Sequence, residues 1–157
     1  FLSELVGIDI QKENIDRANE ALQLNKIEKN ILFECMDIRE YKKSNYFDVI
    51  ISNPPYMNDN GKKINENEHK AISRHEIKLT LNELISNAKR LLKPIGLLYF
   101  IHRTHRLVEI IKALDKNNFS IKKIIFIYSA QNNKSTMMFV EAVKGKKIKL
   151  EIQNYYI

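Results

Sequence analysis

The stretch Phe47-Asp48-Val49-Ile50-Ile51-Ser52-Asn53-Pro54-Pro55-Tyr56 sets the architecture. Its apolar centre, Val49 to Ile51, predicts a strand over 47–52 covered on both faces, as in mainly parallel sheets. Two successive prolines then fix φ and remove two N–H donors, so the strand has to end and the chain has to surface. The carbonyls of Asn53 and Pro54 cannot join a helix there and are available to a cleft. With the Asn53 side-chain oxygen they form a cluster of acceptors, and Tyr56 adds a flat ring. Such a cluster suits a planar target that offers two N–H donors and a face to stack on. A rigid turn with a packed tyrosine is the structural alternative.

Around this stretch the chain alternates strands and helices. Leu5 to Ile10 is a β-rich run ending near an acid, Asp9. Ile15, Ala18 and Leu22 share one stripe, which predicts a helix over 12–24, and Asn25 is a plausible left-handed stop. Ile31 to Met36 predicts a second strand, followed by Asp37, with Cys35 as a small core residue. Residues 57–73 are polar, without a period, and too long for a mere connector. Thr80 and Glu83 make a capping-box signature that opens a helix carrying Leu81, Leu84, Ile85, Ala88, Leu91 and Leu92 on its apolar face. Pro94 and Gly96 stop it, and Leu97 to His102 predicts a fourth strand. A helix over 106–114 and two strands over 119–128 and 136–143 complete one domain, residues 1–157. This order implies a mainly parallel sheet with helices on both faces. Ligands in such folds collect outside the carboxyl ends of the strands, where Asp9, Asp37 and Asn53 all fall.

With 157 residues, 44% hydrophobic, the chain can bury a core, and wholesale disorder is excluded. No apolar run approaches the ~20 residues of a membrane helix, and no secretory signal is visible, so a cytoplasmic protein without membrane contact is expected. A single cysteine excludes an internal disulfide. The four histidines are not spaced with carboxylates as a metal site, and no metal is assigned. The formal charge of +7 attracts polyanions, nucleic acid above all.

These motifs resemble the class I S-adenosylmethionine-dependent amino methyltransferases, whose fourth motif is (N/D/S)PP(Y/F/W) after a strand. VGIDI at 6–10, CMDI at 35–38, the NPPY segment, AISRHE at 71–76, RLLKPIG at 90–96, FIHRTHRL at 100–107 and MMFVEAVKG at 137–145 carry the resemblance along the whole chain. The later motifs are most similar to the bacterial tRNA(Val) adenine N6-methyltransferase family, with SRHE departing slightly from its pattern. The resemblance implies an α/β Rossmann-like fold, its sheet mainly parallel with a C-terminal antiparallel hairpin. It also implies S-adenosylmethionine as cofactor and methyl transfer to the N6 of an adenine in tRNA. Asp9 with Ile10 would hold the cofactor ribose, Asp37 and Ile38 its adenine. Asn53, Pro54, Pro55 and Tyr56 would hold the reacting base, Asn53 also facing the cofactor. Lys62, Lys63, Lys70, Arg74, His75, His102, Arg103, His105 and Arg106 lie near the same rim. Of these Lys70, Arg74, His75, His102, Arg103 and Arg106 would meet RNA. Asp9 can also cap the helix that follows it.

The family's glycine-rich first motif has no counterpart among Gly7, Gly61, Gly96 and Gly145. The expectation is therefore an N-terminally truncated catalytic domain lacking the first strand and helix, with an incomplete cofactor site and weak cofactor binding. Unpaired inner edges would then call for a strand-completing polypeptide, an exchanged strand or a homo-oligomer. The competing expectations are another amine acceptor (DNA adenine, rRNA guanine N2 or protein glutamine) and a catalytically silent RNA-binding remnant.

Overall fold

The computed structural model describes residues 3–27, 30–54, 79–129 and 134–157. The chain divides into two compact units, Phe1–Lys43 and Ser44–Ile157.

The first unit holds β1 (Leu5–Asp9), α1 (Lys12–Leu24) and β2 (Ile31–Cys35). β1 and β2 pair in parallel, Leu5 opposite Ile31 and Asp9 opposite Cys35. Gly7 sits opposite Phe33, and a Cβ at Gly7 would lie 2.6 Å from the Phe33 ring, so only glycine admits this packing. α1 ends at Asn25, whose side-chain amide donates to the Ala21 carbonyl at 2.8 Å. The left-handed residue is Lys26 at φ 50°, not Asn25 as expected, because the Asn25 side chain itself closes the last turn. Cys35 is exposed rather than in the core, since it ends a strand of a small two-stranded sheet.

The second unit is a five-stranded sheet in the order β3-β4-β6-β5-β7. β3 (Phe47–Ser52) pairs in parallel with β4 (Leu92–Arg103); β6 (Met137–Lys144) runs antiparallel to both β4 and β5 (Phe119–Tyr128). β7 (Glu151–Tyr156) then adds a parallel outer strand beside β5. α2 (Leu81–Leu91) and α3 (Leu107–Lys116) lie on one face, over Leu98, Phe100, Ile124, Met138, Val140 and Ala142. The expected capping box at Thr80 is formed in both directions. The stripe of α2 is buried throughout, each large aliphatic side chain contributing roughly 1.5–3 kcal/mol relative to exposure. β4 begins at Leu92, five residues before the expected Leu97, but residues 93–96 bulge out of the ladder: Leu92 pairs with Phe47, Ile95 takes a left-handed φ of 64°, and pairing resumes at Leu97 opposite Val49. A 3₁₀ turn, Thr104–Arg106, precedes α3.

The expectation that β3 is covered on both faces is not met. Val49 is 44% and Ile51 78% exposed. Ile51 pairs with Tyr99, on the face opposite Leu98 and Phe100, and both described helices of this unit pack on the other face. The Tyr99 and Phe139 rings stack on that open face at 5.7 Å, and Glu141, buried beside them, accepts from Tyr99 Oη at 3.2 Å and Lys122 Nζ at 2.6 Å.

Candidate active site

In the first unit the parallel ladder brings two strand ends side by side, and Met36 N–H donates to the Asp9 carbonyl at 2.9 Å. The Asp9 carboxylate accepts from Gln11 N–H at 2.8 Å and Asn14 Nδ2 at 2.9 Å. One bond to each oxygen fixes the group and still leaves lone pairs for two hydroxyl protons. Gln11, not Asp9, is the residue at the α1 N-cap position. Ile10 is exposed beside it.

Asp37 is differently placed. Arg39 donates to it through its backbone N–H at 2.8 Å, through Nε at 3.0 and 3.1 Å, and through Nη2 at 2.6 Å. The side-chain bonds from Arg39 hold the carboxyl below its ordinary value against the opposing effect of burial. Its acceptor sites are therefore taken by Arg39, and an adenine amine would have to displace that arginine. Ile38, half-buried, follows in the same turn.

In the second unit the β3–β4 ladder runs to Ser52 opposite Phe100, and the chain then surfaces: Asn53 is exposed and Pro54 buried. The buried ring anchors the turn, while the amide of Asn53 stands at the carboxyl rim. Pro55 and Tyr56 lie outside the described residues, as do Lys62, Lys63, Lys70, Arg74 and His75.

The basic segment after β4 needs a correction. His102 is only 2% exposed, because it continues the inward alternation of Leu98 and Phe100, and its Nδ1 accepts from Arg103 N–H at 2.8 Å. Burial, then the nearby Arg106, lowers its pKa, so it is a neutral core side chain rather than an RNA contact. The Arg106 side chain, 10% exposed, is held by both carboxylate oxygens of Glu109, so its charge is already engaged. Arg103 and His105 are the exposed members of this cluster. The sequence does not announce β7: Glu151–Tyr156 reads EIQNYY, which has no period-two alternation, and only its β-favouring Ile152, Tyr155 and Tyr156 hint at a strand. Among the described residues no three His, Cys, Asp or Glu side chains gather to hold a metal ion, and no helix is long and apolar enough to cross a membrane.

The sheet order and the polar strand ends define an α/β Rossmann-like protein with the class I methyltransferase fold. A predicted O-methyltransferase from Agrobacterium tumefaciens superposes with a TM-score of 0.71 over 98% of this chain and 68% of its own, at 22% identity. The N-methyltransferase NodS from Bradyrhizobium japonicum, solved with S-adenosyl-L-homocysteine, superposes with a TM-score of 0.62 over 91% of this chain and 67% of its own, at 17% identity. Residues 2–154 match the family described as methyltransferase domain, and the chain belongs to that family.

Among curated relatives, a tRNA1(Val) (adenine(37)-N6)-methyltransferase from Phocaeicola vulgatus is 32% identical over 57% of this chain and 38% of its own. A tRNA (guanine(6)-N2)-methyltransferase from Methanocaldococcus jannaschii is 28% identical over 76% of this chain and 28% of its own. A release factor glutamine methyltransferase from Fusobacterium nucleatum is 30% identical over 92% of this chain and 42% of its own. The chain thus spans less than half the length of these relatives.

Proposed function

We infer that the chain serves methyl transfer from S-adenosylmethionine to an exocyclic amine, the N6 of an adenine in tRNA. The observation that carries this reading is the turn at the end of β3, where buried Pro54 anchors an exposed Asn53 at the carboxyl rim. When bound, the cofactor supplies an electrophilic methyl group on sulfonium. Asp9 fits its ribose, with one free acceptor direction on each oxygen, and Ile10 borders that position. Asp37 and Ile38 fit its adenine end once Arg39 moves aside. No residue of this sequence supplies a glycine-rich cradle for the methionine end.

The acceptor chemistry falls to Asn53 and Pro54. The lone pair of an adenine N6 is delocalised into the ring, so the amine is a poor nucleophile. Hydrogen bonds from its two N–H groups to the Asn53 side-chain oxygen and the Pro54 carbonyl draw the nitrogen toward tetrahedral geometry. The lone pair then projects from the ring for in-line attack. Tyr56 would stack on the base once it has left its neighbours. The methylated amine becomes acidic and releases its proton without a dedicated base. Positioning and charge stabilisation supply the acceleration.

RNA as substrate is supported by the +7 charge and by the exposed Arg103 and His105 on the rim. A second reading, a glutamine amide in a protein, is favoured by the 92% span of the release-factor enzyme match. Transfer of labelled methyl to tRNA, duplex DNA and release factor separates the two. Label in N6-methyladenosine of tRNA is expected, and label confined to the protein would overturn the nucleic-acid reading.

A further inference from the structure

β3, β4, β5 and β7 all point the same way, so the carboxyl ends of all four lie on one rim of the second unit. Asn53 stands at one end of this rim and Tyr156 at the other. The two rings of Tyr128 and Tyr156 stack there, centroids 5.1 Å apart and 22° from parallel. Ile157 N–H donates to the Tyr128 carbonyl at 2.9 Å and holds the strand end beside its neighbour. Tyr156 remains 69% exposed, so the pair offers an open aromatic surface rather than a buried contact. Between the two ends lie exposed Arg103 and His105 after β4 and exposed Lys134 before β6.

We propose that the stacked Tyr128–Tyr156 pair binds a nucleobase of single-stranded RNA several nucleotides away from the one held at Asn53, the strand between them running along the Arg103–Lys134 rim. The proposal rests on the nucleic-acid reading above and deepens it. The strand order places β7 four steps from β3, about 19 Å at roughly 4.8 Å per step. That distance matches about six stacked nucleotides at 3.4 Å each, or fewer in an extended strand. Cationic side chains between an aromatic platform and a second base site are the arrangement that single-stranded nucleic acid favours. A protein acceptor would use the basic rim only where it is acidic and the tyrosine stack only where it offers a flat or cationic side chain, whereas every nucleotide carries both a phosphate and a base.

The test measures binding of the full chain to a ten-nucleotide single-stranded RNA in which one adenine is replaced by fluorescent 2-aminopurine at successive positions. Wild type is expected to quench the probe at an offset of several nucleotides from the methylated adenine. Tyr156→Ala is expected to abolish that quenching and weaken binding about 5- to 150-fold, the range of one base stack. Tyr156→Phe is expected to keep both, which separates stacking from any role of the hydroxyl. Equal affinity and quenching in wild type and Tyr156→Ala would overturn the tyrosine platform alone. No binding of RNA by wild type would overturn the nucleic-acid reading and the platform with it. Loss of self-association in Tyr156→Ala, measured by sedimentation, with RNA affinity intact would mark the pair as a contact between copies and overturn the proposal.

Discussion

Asn53 and His102 sit near the same rim, yet burial gives them opposite fates. The amide of Asn53 is exposed where its strand ends, and the proposed chemistry needs its oxygen at the reacting nitrogen. Asn53→Ala should lower methyl transfer by about 10²–10³-fold or more, as the loss of one transition-state hydrogen bond does elsewhere, while RNA affinity stays within about twofold. Single-turnover methyl transfer near the wild-type rate would sink that role. His102 follows the inward alternation of its strand. Burial, helped by Arg106 and His105 and opposed by Glu109, lowers its pKa from the ordinary 6.5. A neutral histidine therefore stabilises the fold above pH 6.5, and that contribution is lost as pH falls through the lowered folded value, where the unfolded chain binds the extra proton. Urea unfolding should show this contribution intact above pH 7 and declining as pH falls below 6.5. His102→Asn, which keeps an acceptor for the Arg103 N–H, should flatten the decline. Asp37, whose carboxyl Arg39 holds below 3.8, acts in a lower window and leaves this one clear. The end of β3 at Ser52 was legible, because two successive prolines cannot continue a ladder. The burial of His102 was equally legible in principle, since it shares parity with Leu98 and Phe100, but a basic cluster drew the reading outward.

Among the elements, α2 was the most legible, because its local and tertiary signals agree. Thr80 Oγ1 accepts from Glu83 N–H at 3.2 Å, and Glu83 Oε2 accepts from Thr80 N–H at 2.8 Å and from its hydroxyl at 2.7 Å. Five of its residues are then buried against the sheet. Thr80→Ala removes the side-chain half of this box and should cost about 1 kcal/mol. A lower urea midpoint with an unchanged slope is the expected signature, since the surface exposed on unfolding stays the same. An unaltered midpoint would mean that tertiary packing alone fixes the start of the helix. Strand boundaries were harder to read. Pro94 and Gly96 read as a loop, and residues 93–96 do leave the ladder, yet Leu92 before them, its carbonyl accepting from Lys144 Nζ at 2.6 Å, still pairs with Phe47. Lys144 lies more than fifty residues downstream, so no local window contains that information. β7 carries no local signal of the usual kind: EIQNYY does not alternate, every residue is exposed, and the buried face that usually marks a strand is absent.

At the scale of the molecule, the excess of basic residues has no direction until the topology supplies one. Lys134, Arg103 and His105 stand at the carboxyl rim of the second unit, whereas Lys146 follows the end of antiparallel β6 and so lies at the opposite rim. If RNA runs along the carboxyl rim, only the first group releases counterions on binding. The logarithm of affinity for single-stranded RNA should then fall linearly with the logarithm of salt, by about 0.7 for each phosphate contacted. Arg103→Ala should reduce that slope by about 0.7 and weaken binding alike for every sequence, because a phosphate contact carries no base information. Lys146→Ala removes the same unit of charge and should leave the slope unchanged. Equal reductions from the two variants would show that net charge rather than position attracts the RNA, and the rim would then hold no defined strand.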